Sequence, residues 1–168
     1  MTAILSAIIA SLVLSIRAAA SEEFVVSGHA LVVVIPEGWE QRTEIHAPFL
    51  AAINEKATGN SFALMGMRQP DEKFTLNRKG AEVGLVKGRG TNGKILRRTE
   101  AKLLGLPAYC FITESEIQGQ KSSGVTIMAE KALNGYVYMV QCTKAGGGDL
   151  DDASVHAIAD RVHLKETK

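Results

Sequence analysis

Polar and apolar positions change period several times along this chain, and each change marks an element. From Ala3 to Ile16 there is no charge and nothing more polar than Ser, and the run closes on Arg17 and Ala18-Ala19-Ala20. A bilayer-spanning helix needs about 20 apolar residues. This shorter run, with Ala18 and Ala20 in small-x-small spacing, predicts an export leader over residues 1–20, cleaved after Ala20. An uncleaved anchor is the alternative, because no Lys or Arg precedes the run. No Cys follows it directly, which excludes a lipid anchor on a mature N-terminal Cys.

The remainder reads as one domain over residues 21–168. Ala30 to Ile35 is a Val-rich run stopped by Pro36-Glu37-Gly38, which predicts a buried strand ending in a turn, with Trp39 capping the core. Pro48 to Lys56 and Ser61 to Arg68 flank Thr58-Gly59-Asn60 and predict a hairpin, although Ala51, Ala52, Glu55 and Lys56 would also suit a helix. Leu76, Gly80, Val83 and Val86 or Lys87 fall on one side of a helix from about Phe74 to Lys87. Gly80 and Gly84 weaken that helix by roughly 1 kcal/mol each relative to Ala, a cost that close packing on a sheet would explain. From Lys94 onward the period becomes two. Strands are predicted over 106–117, 123–133 and 136–143, with Asn134-Gly135 as the strongest hairpin signal. A last helix follows Gly146-Gly147-Gly148, with Val155, Ile158, Ala159 and Val162 on one side and Asp149, Asp151 and Asp152 at its N-terminus, where acids suit the helix dipole. Strands interrupted by two helices give an α+β class, a central antiparallel sheet flanked by helices.

The order of leader, "ALVVVIPEGW", helix, "ILRRTEAKLLGLPAYCF", "NGYVYMVQC" and closing helix resembles the PsbP-like superfamily, including its bacterial DcrB-like branch. The resemblance covers most of Gly28 to Leu164 and rests on Pro36-Glu37-Gly38-Trp39, Gly105-Leu106-Pro107-Ala108-Tyr109 and Asn134-Gly135-Tyr136, none of them catalytic. It implies an α/β/α sandwich and a binding or assembly module, since members act as photosystem subunits, chaperones or adaptors. It names no ligand and no cofactor.

Composition narrows the function further. With 168 residues, 22% of them charged, and a formal net charge of +1, the chain has no global field to draw it to nucleic acid or membrane. The charge is nevertheless uneven. Residues 21–67 carry two bases and six acids, residues 68–102 ten bases and four acids, and residues 103–168 six bases and eight acids. Arg78, Lys79, Lys87, Arg89, Lys94, Arg97, Arg98 and Lys102, with Arg68 and Lys73, form a candidate patch for an envelope protein's acidic surface, an anionic head group or a glycan. The alternative is a merely solvated face. No aromatic residues interleave these bases to stack nucleobases, so nucleic acid is disfavoured.

Candidate chemistry is sparse. Gly88-Arg89-Gly90-Thr91-Asn92-Gly93 matches G-x-G-x-x-G but follows a helix and precedes a strand, the reverse of a dinucleotide site. There is no Gly-x-Ser-x-Gly, no H-E-x-x-H and no P-loop. Glu114 and Glu116 share one side of a strand and are better explained as an exposed acidic face than as a glycosidase pair. His29 and His46 read as ordinary edge histidines. His156, Asp160 and His163 at i, i+4 and i+7, with Asp152 one turn earlier, fall near one flank of the last helix and could hold zinc, giving a small metal-dependent enzyme as the second reading; the alternative is a solvated helix flank. Cys110 and Cys142 fall on strands separated by a third. Two strand spacings of about 4.8 Å exceed the roughly 7 Å reach of a disulfide, so both are expected as free thiols. The leading expectation is a non-enzymatic exported binding module without cofactor; a chaperone or immunity protein for a secreted effector belongs to the same class.

Overall fold

A computed structural model describes residues 21–71, 73–88, 93–117, 119–147 and 150–166. The leader, Arg89 and most of the Gly88–Gly93 motif lie outside these described residues. The elements are β1 (Glu22–Val26), β2 (Leu31–Ile35), β3 (Trp39–Gln41), β4 (Phe49–Glu55), β5 (Ser61–Arg68), α1 (Arg78–Gly88), β6 (Lys94–Leu103), β7 (Leu106–Ile117), β8 (Gln120–Ala129), β9 (Tyr136–Ala145), α2 (Asp152–Ala159) and β10 (Val162–Leu164). Seven strands form one antiparallel sheet in the order β3-β4-β5-β9-β8-β7-β6, and β1-β2-β10 form a second, small sheet.

Strand alternation gives the large sheet two different faces. One in-register row, Ile53, Phe62, Cys142, Val125, Ile112 and Arg97, belongs to the inner face. Leu31, Val33 and Ile35 of β2, Val155 and Ile158 of α2, and Val162 of β10 share one continuous core with this face. The Val-rich run of β2 is apolar throughout because it is the middle strand of the small sheet and is buried along nearly its whole length. The other face carries the row Ala52, Ala63, Gln141, Thr126, Phe111 and Arg98. It is covered by α1 at one end, where Leu76, Ala81 and Leu85 approach Met67, Met128 and Met139.

The fold is therefore mainly β, and the expected α/β/α sandwich is corrected on its inner side. There a three-stranded sheet and one short helix, rather than a helical layer, bury the large sheet. The hairpin signal at Asn134-Gly135 is realised, with φ of 51° and 79° between Leu133 and Tyr136. Helix α1 begins four residues later than expected because Thr75 bridges Lys131, while Asn77 caps the helix through Oδ1 accepting from the N–H of Gly80 at 3.1 Å.

Two packing expectations also change. The sheet-facing side of α1 carries half-buried Ala81 and Leu85, with Leu76 just ahead of the helix, whereas Val83 and Val86 point outward at 48% and 40% exposure. Gly80 and Gly84 do not serve a close approach either. A Cβ at Gly84 would meet nothing within 4 Å, and one at Gly80 would only touch Asn77 of its own turn. Gly84 instead borders a gap of about 370 Å³ beneath the helix.

Two predictions follow from this packing. Gly84→Ala should raise stability by about 0.5–1 kcal/mol, seen as a higher urea midpoint at unchanged slope, by removing helix-interior glycine entropy where there is room for a methyl group. A lower midpoint would mean that the helix lies closer to the sheet. Cys110, on β7 and fully buried, and Cys142, on β9, are separated by β8 and both free. Thiol titration of the unfolded, unreduced protein should thus find two groups, and native protein should leave Cys110 unmodified. Zero groups on unfolding would contradict the strand order.

Candidate functional site

The basic segment is divided by the pleat of β6. Arg97 and Arg98 are consecutive, so their side chains leave opposite faces of the sheet. Arg97, on the inner side, donates to the Leu150 carbonyl at 2.8 Å and pairs with Asp152 at 3.1 Å, so it holds the start of α2. Asp151 is the N-cap there: its Oδ1 accepts from the Ser154 N–H at 2.8 Å and from the Ser154 hydroxyl at 2.6 Å. Those hydrogen bonds hold its carboxyl below the usual carboxylate range.

Arg98, on the outer side, grips Glu82 of α1 with two hydrogen bonds, Nε to Oε1 at 2.9 Å and Nη2 to Oε2 at 3.1 Å. Arg78 adds an i,i+4 contact to the same carboxylate at 3.7 Å and lies 5.5 Å from the centre of the Tyr109 ring. The Arg98 hydrogen bonds lower the pKa of Glu82 and raise that of Arg98. Lys94 pairs with Glu114 at 2.9 Å, which likewise depresses that carboxyl and gives Glu114 a local partner instead of an open acidic face. Three bases of the sequence-defined patch, Lys94, Arg97 and Arg98, thus tie a neighbouring strand or a helix to β6, and Arg78 braces Glu82 from within α1. Lys79, Lys87 and Lys102 form no ion pair among the described residues, and Arg89 lies outside them.

What the sequence did not signal is the apolar centre beside these bases. Val83 and Val86 of α1 stand next to β6, where a register shift between Ile95 and Arg97 leaves Leu96 unpaired and 50% exposed. Val83, Val86 and Ile95, with Glu82, Lys87 and Arg98 around them, line a shallow hollow of about 340 Å³. Helical periodicity assigned both valines to the core; the rotation of α1 puts them in solvent. β6 is also an edge strand, and its bulge and its bases are devices that discourage uncontrolled strand pairing.

The proposed metal set is not assembled as its spacing implied. Helix α2 ends at Ala159, and the Asp160 N–H donates to the His156 carbonyl as the C-cap. His163 lies on β10 opposite Val32, so the i+7 helical position does not exist. Among the described residues no three His, Cys, Asp or Glu side chains form a group that could hold a metal ion. His29 has a structural partner: its Nδ1 is 3.1 Å from the Tyr138 hydroxyl, and its ring meets Tyr136 edge-on with centroids 4.5 Å apart. Arg161, which no sequence pattern singled out, stacks 4.6 Å from the Trp39 ring centre and 5.7 Å from that of Phe62, and burial lowers its pKa. No helix among the described residues is long and apolar enough to cross a membrane.

No family model and no curated protein sequence matches this chain. Solved structures do. The Ran-binding protein Mog1p of Saccharomyces cerevisiae is similar with a TM-score of 0.60 at 10% identity, covering 88% of this chain and 97% of its own. Cyanobacterial PsbP (CyanoP) of Synechocystis sp. PCC 6803 gives 0.63 at 10% identity over 89% and 95%. LpqN of Mycobacterium tuberculosis, described as involved in cell envelope biogenesis, gives 0.56 at 12% identity over 88% and 92%. Identities this low speak for architecture alone, and the large antiparallel sheet described above, matched along nearly the whole length of all three, gives this chain the PsbP/Mog1-like fold.

Proposed function

We propose that this protein is an exported, non-enzymatic binding module that holds a protein partner through the α1–β6 surface. The observation that carries the reading is the pair of exposed valines, Val83 and Val86, beside Ile95 in a hollow rimmed by Lys87 and Arg98, with Leu96 also exposed on the same edge strand. Large apolar side chains grouped at the surface mark interaction sites, and an apolar centre with a polar rim is the usual anatomy of a protein interface. The bases around it favour a partner whose rim is acidic. Arg97 and Arg98 contribute mainly by fixing α2 and α1, which leaves the hydrophobic centre to supply affinity. Two neighbours in fold support a binding role: Mog1p is a Ran-binding protein, and LpqN is involved in cell envelope biogenesis. Export rests on the leader over residues 1–20 and places the partner in the periplasm or outside the cell.

Immobilised protein carrying Val83→Glu and Leu96→Glu together should retain at least roughly tenfold less of the protein captured by the unaltered chain from envelope extract. Its unfolding midpoint should stay within about 0.5 kcal/mol of the original, because both positions are half exposed. Replacing His156 and His163 by Ala should leave capture unchanged. Equal retention by the Val83/Leu96 variant would remove this surface from consideration. Recovery of the protein from the periplasm with Ser21 at its N-terminus would agree with export; recovery from cytosol with residues 1–20 intact would refute it.

A further inference from the structure

Of the outer face of the large sheet, only one end is covered by a helix. In the row Ala52, Ala63, Gln141, Thr126, Phe111 and Arg98, helix α1 lies over the Arg98 end, and the segment from Arg42 to Phe49 walls the Ala52 end. Between that segment and strands β4, β5 and β9 lies a cavity of about 420 Å³. This size is within the range of small-molecule sites, about 300–1,000 Å³.

The cavity exists because of residue size. Ala52 and Ala63 stand in its floor, whereas the next row on the same face carries the larger Met65, Met139 and Met128. The rest of the floor is polar and in register: Asn54, Ser61 and Thr143 lie side by side on three strands, with Gln141 one row away. All four are half-buried, and their side chains make no protein hydrogen bond among the described residues. Half-buried amides and hydroxyls without partners favour a ligand that supplies them.

The chemistry of these groups selects the ligand. Carboxamides and hydroxyls each donate and accept, and so do the hydroxyl groups of a sugar. An inorganic anion would meet Arg42 but also Glu44 on the same wall and, with few or no donors, would leave the Asn54 and Gln141 carbonyl oxygens short of partners. A cation would face Arg42 on the same wall. The Phe49 ring, 43% exposed at the mouth, supplies an apolar surface for the C–H face of a sugar ring. We infer that this cavity is a binding site for a short saccharide, held on the Asn54–Ser61–Thr143 row and Gln141 and flanked by Arg42 and Phe49. The site lies over β4, β5 and β9, shares Gln141 with the gap beneath α1 but none of the residues lining the α1–β6 hollow, and does not depend on that reading.

The test is an NMR titration of the purified protein with maltose, cellobiose and N,N′-diacetylchitobiose, with inorganic phosphate and citrate as anion probes. At least one disaccharide should shift the amide signals of Ala52, Ala63 and Gln141 saturably. Ala63→Leu, which fills the floor, should weaken that binding by at least roughly tenfold, while Val83→Glu with Leu96→Glu should leave it unchanged. Should Ala63→Leu not fold, Asn54→Ala combined with Gln141→Ala removes two partners without adding volume and must produce the same loss. The inference is overturned if no disaccharide shifts these signals, if the shifts survive the floor variants, or if only phosphate or citrate produces them.

Discussion

Everything in this fold follows from the need to cover the inner face of a seven-stranded sheet. That face presents an apolar residue at almost every inward position from Ile53 to Ile112, and two short helices cannot bury so wide a surface. The chain meets the need by doubling back at both ends. β2 comes from near the N-terminus and β10 from near the C-terminus, and they pair antiparallel over the large sheet with α2 beside them. Burial of apolar area at about 25 cal/mol per Å² makes this shared layer the dominant stabilising contribution. Arg161 reinforces it from within: the residue leads into β10, its carbonyl accepts from the Val34 N–H of β2 at 2.8 Å, and its guanidinium stacks between Trp39 of β3 and Phe62 of β5.

Covering one face this thoroughly leaves the other the more open of the two. With the core committed inward, α1 is attached to the outer face by a few methionine and leucine contacts and by the Arg98–Glu82–Arg78 cluster. A loosely seated helix leaves its valines in solvent at one side and leaves the sheet bare at the other. Charged residues gathered in sequence around α1 and β6 consequently have a mixed fate. Some are anchors that hold helices against the edge strand, and only those outside the ion pairs contribute free charge to a contact surface.

The legible parts were those governed by local rules. The buried run of β2, the β4–β5 hairpin, the turn at Asn134-Gly135 and the meander through β9 are written in alternation and turn residues within a few positions of each other. The tight turn joining β6 to β7 is not, because Leu104 takes a positive φ of 55° that its side chain disfavours, and tertiary packing of Leu103 and Leu106 imposes it. β1, β3 and β10 are short strands whose identity depends on distant partners. Val162 illustrates the limit: it fits the helical stripe of Val155, Ile158 and Ala159, yet its place in the core is taken as a strand residue paired with Val33. The candidate surface was illegible for a related reason, since periodicity gives the apolar side of α1 but not which part of that side meets the sheet.

The central claim is that binding takes place on the outer face through α1 and β6 while the inner layer stays closed. Amide hydrogen exchange of the protein alone and with its captured partner tests this most directly. The account predicts slowed exchange across Arg78–Gly88 and Lys94–Leu103, with rates in α2, β2 and β10 unchanged. Protection confined to α2 and the small sheet, or opening of β2 on binding, would contradict it.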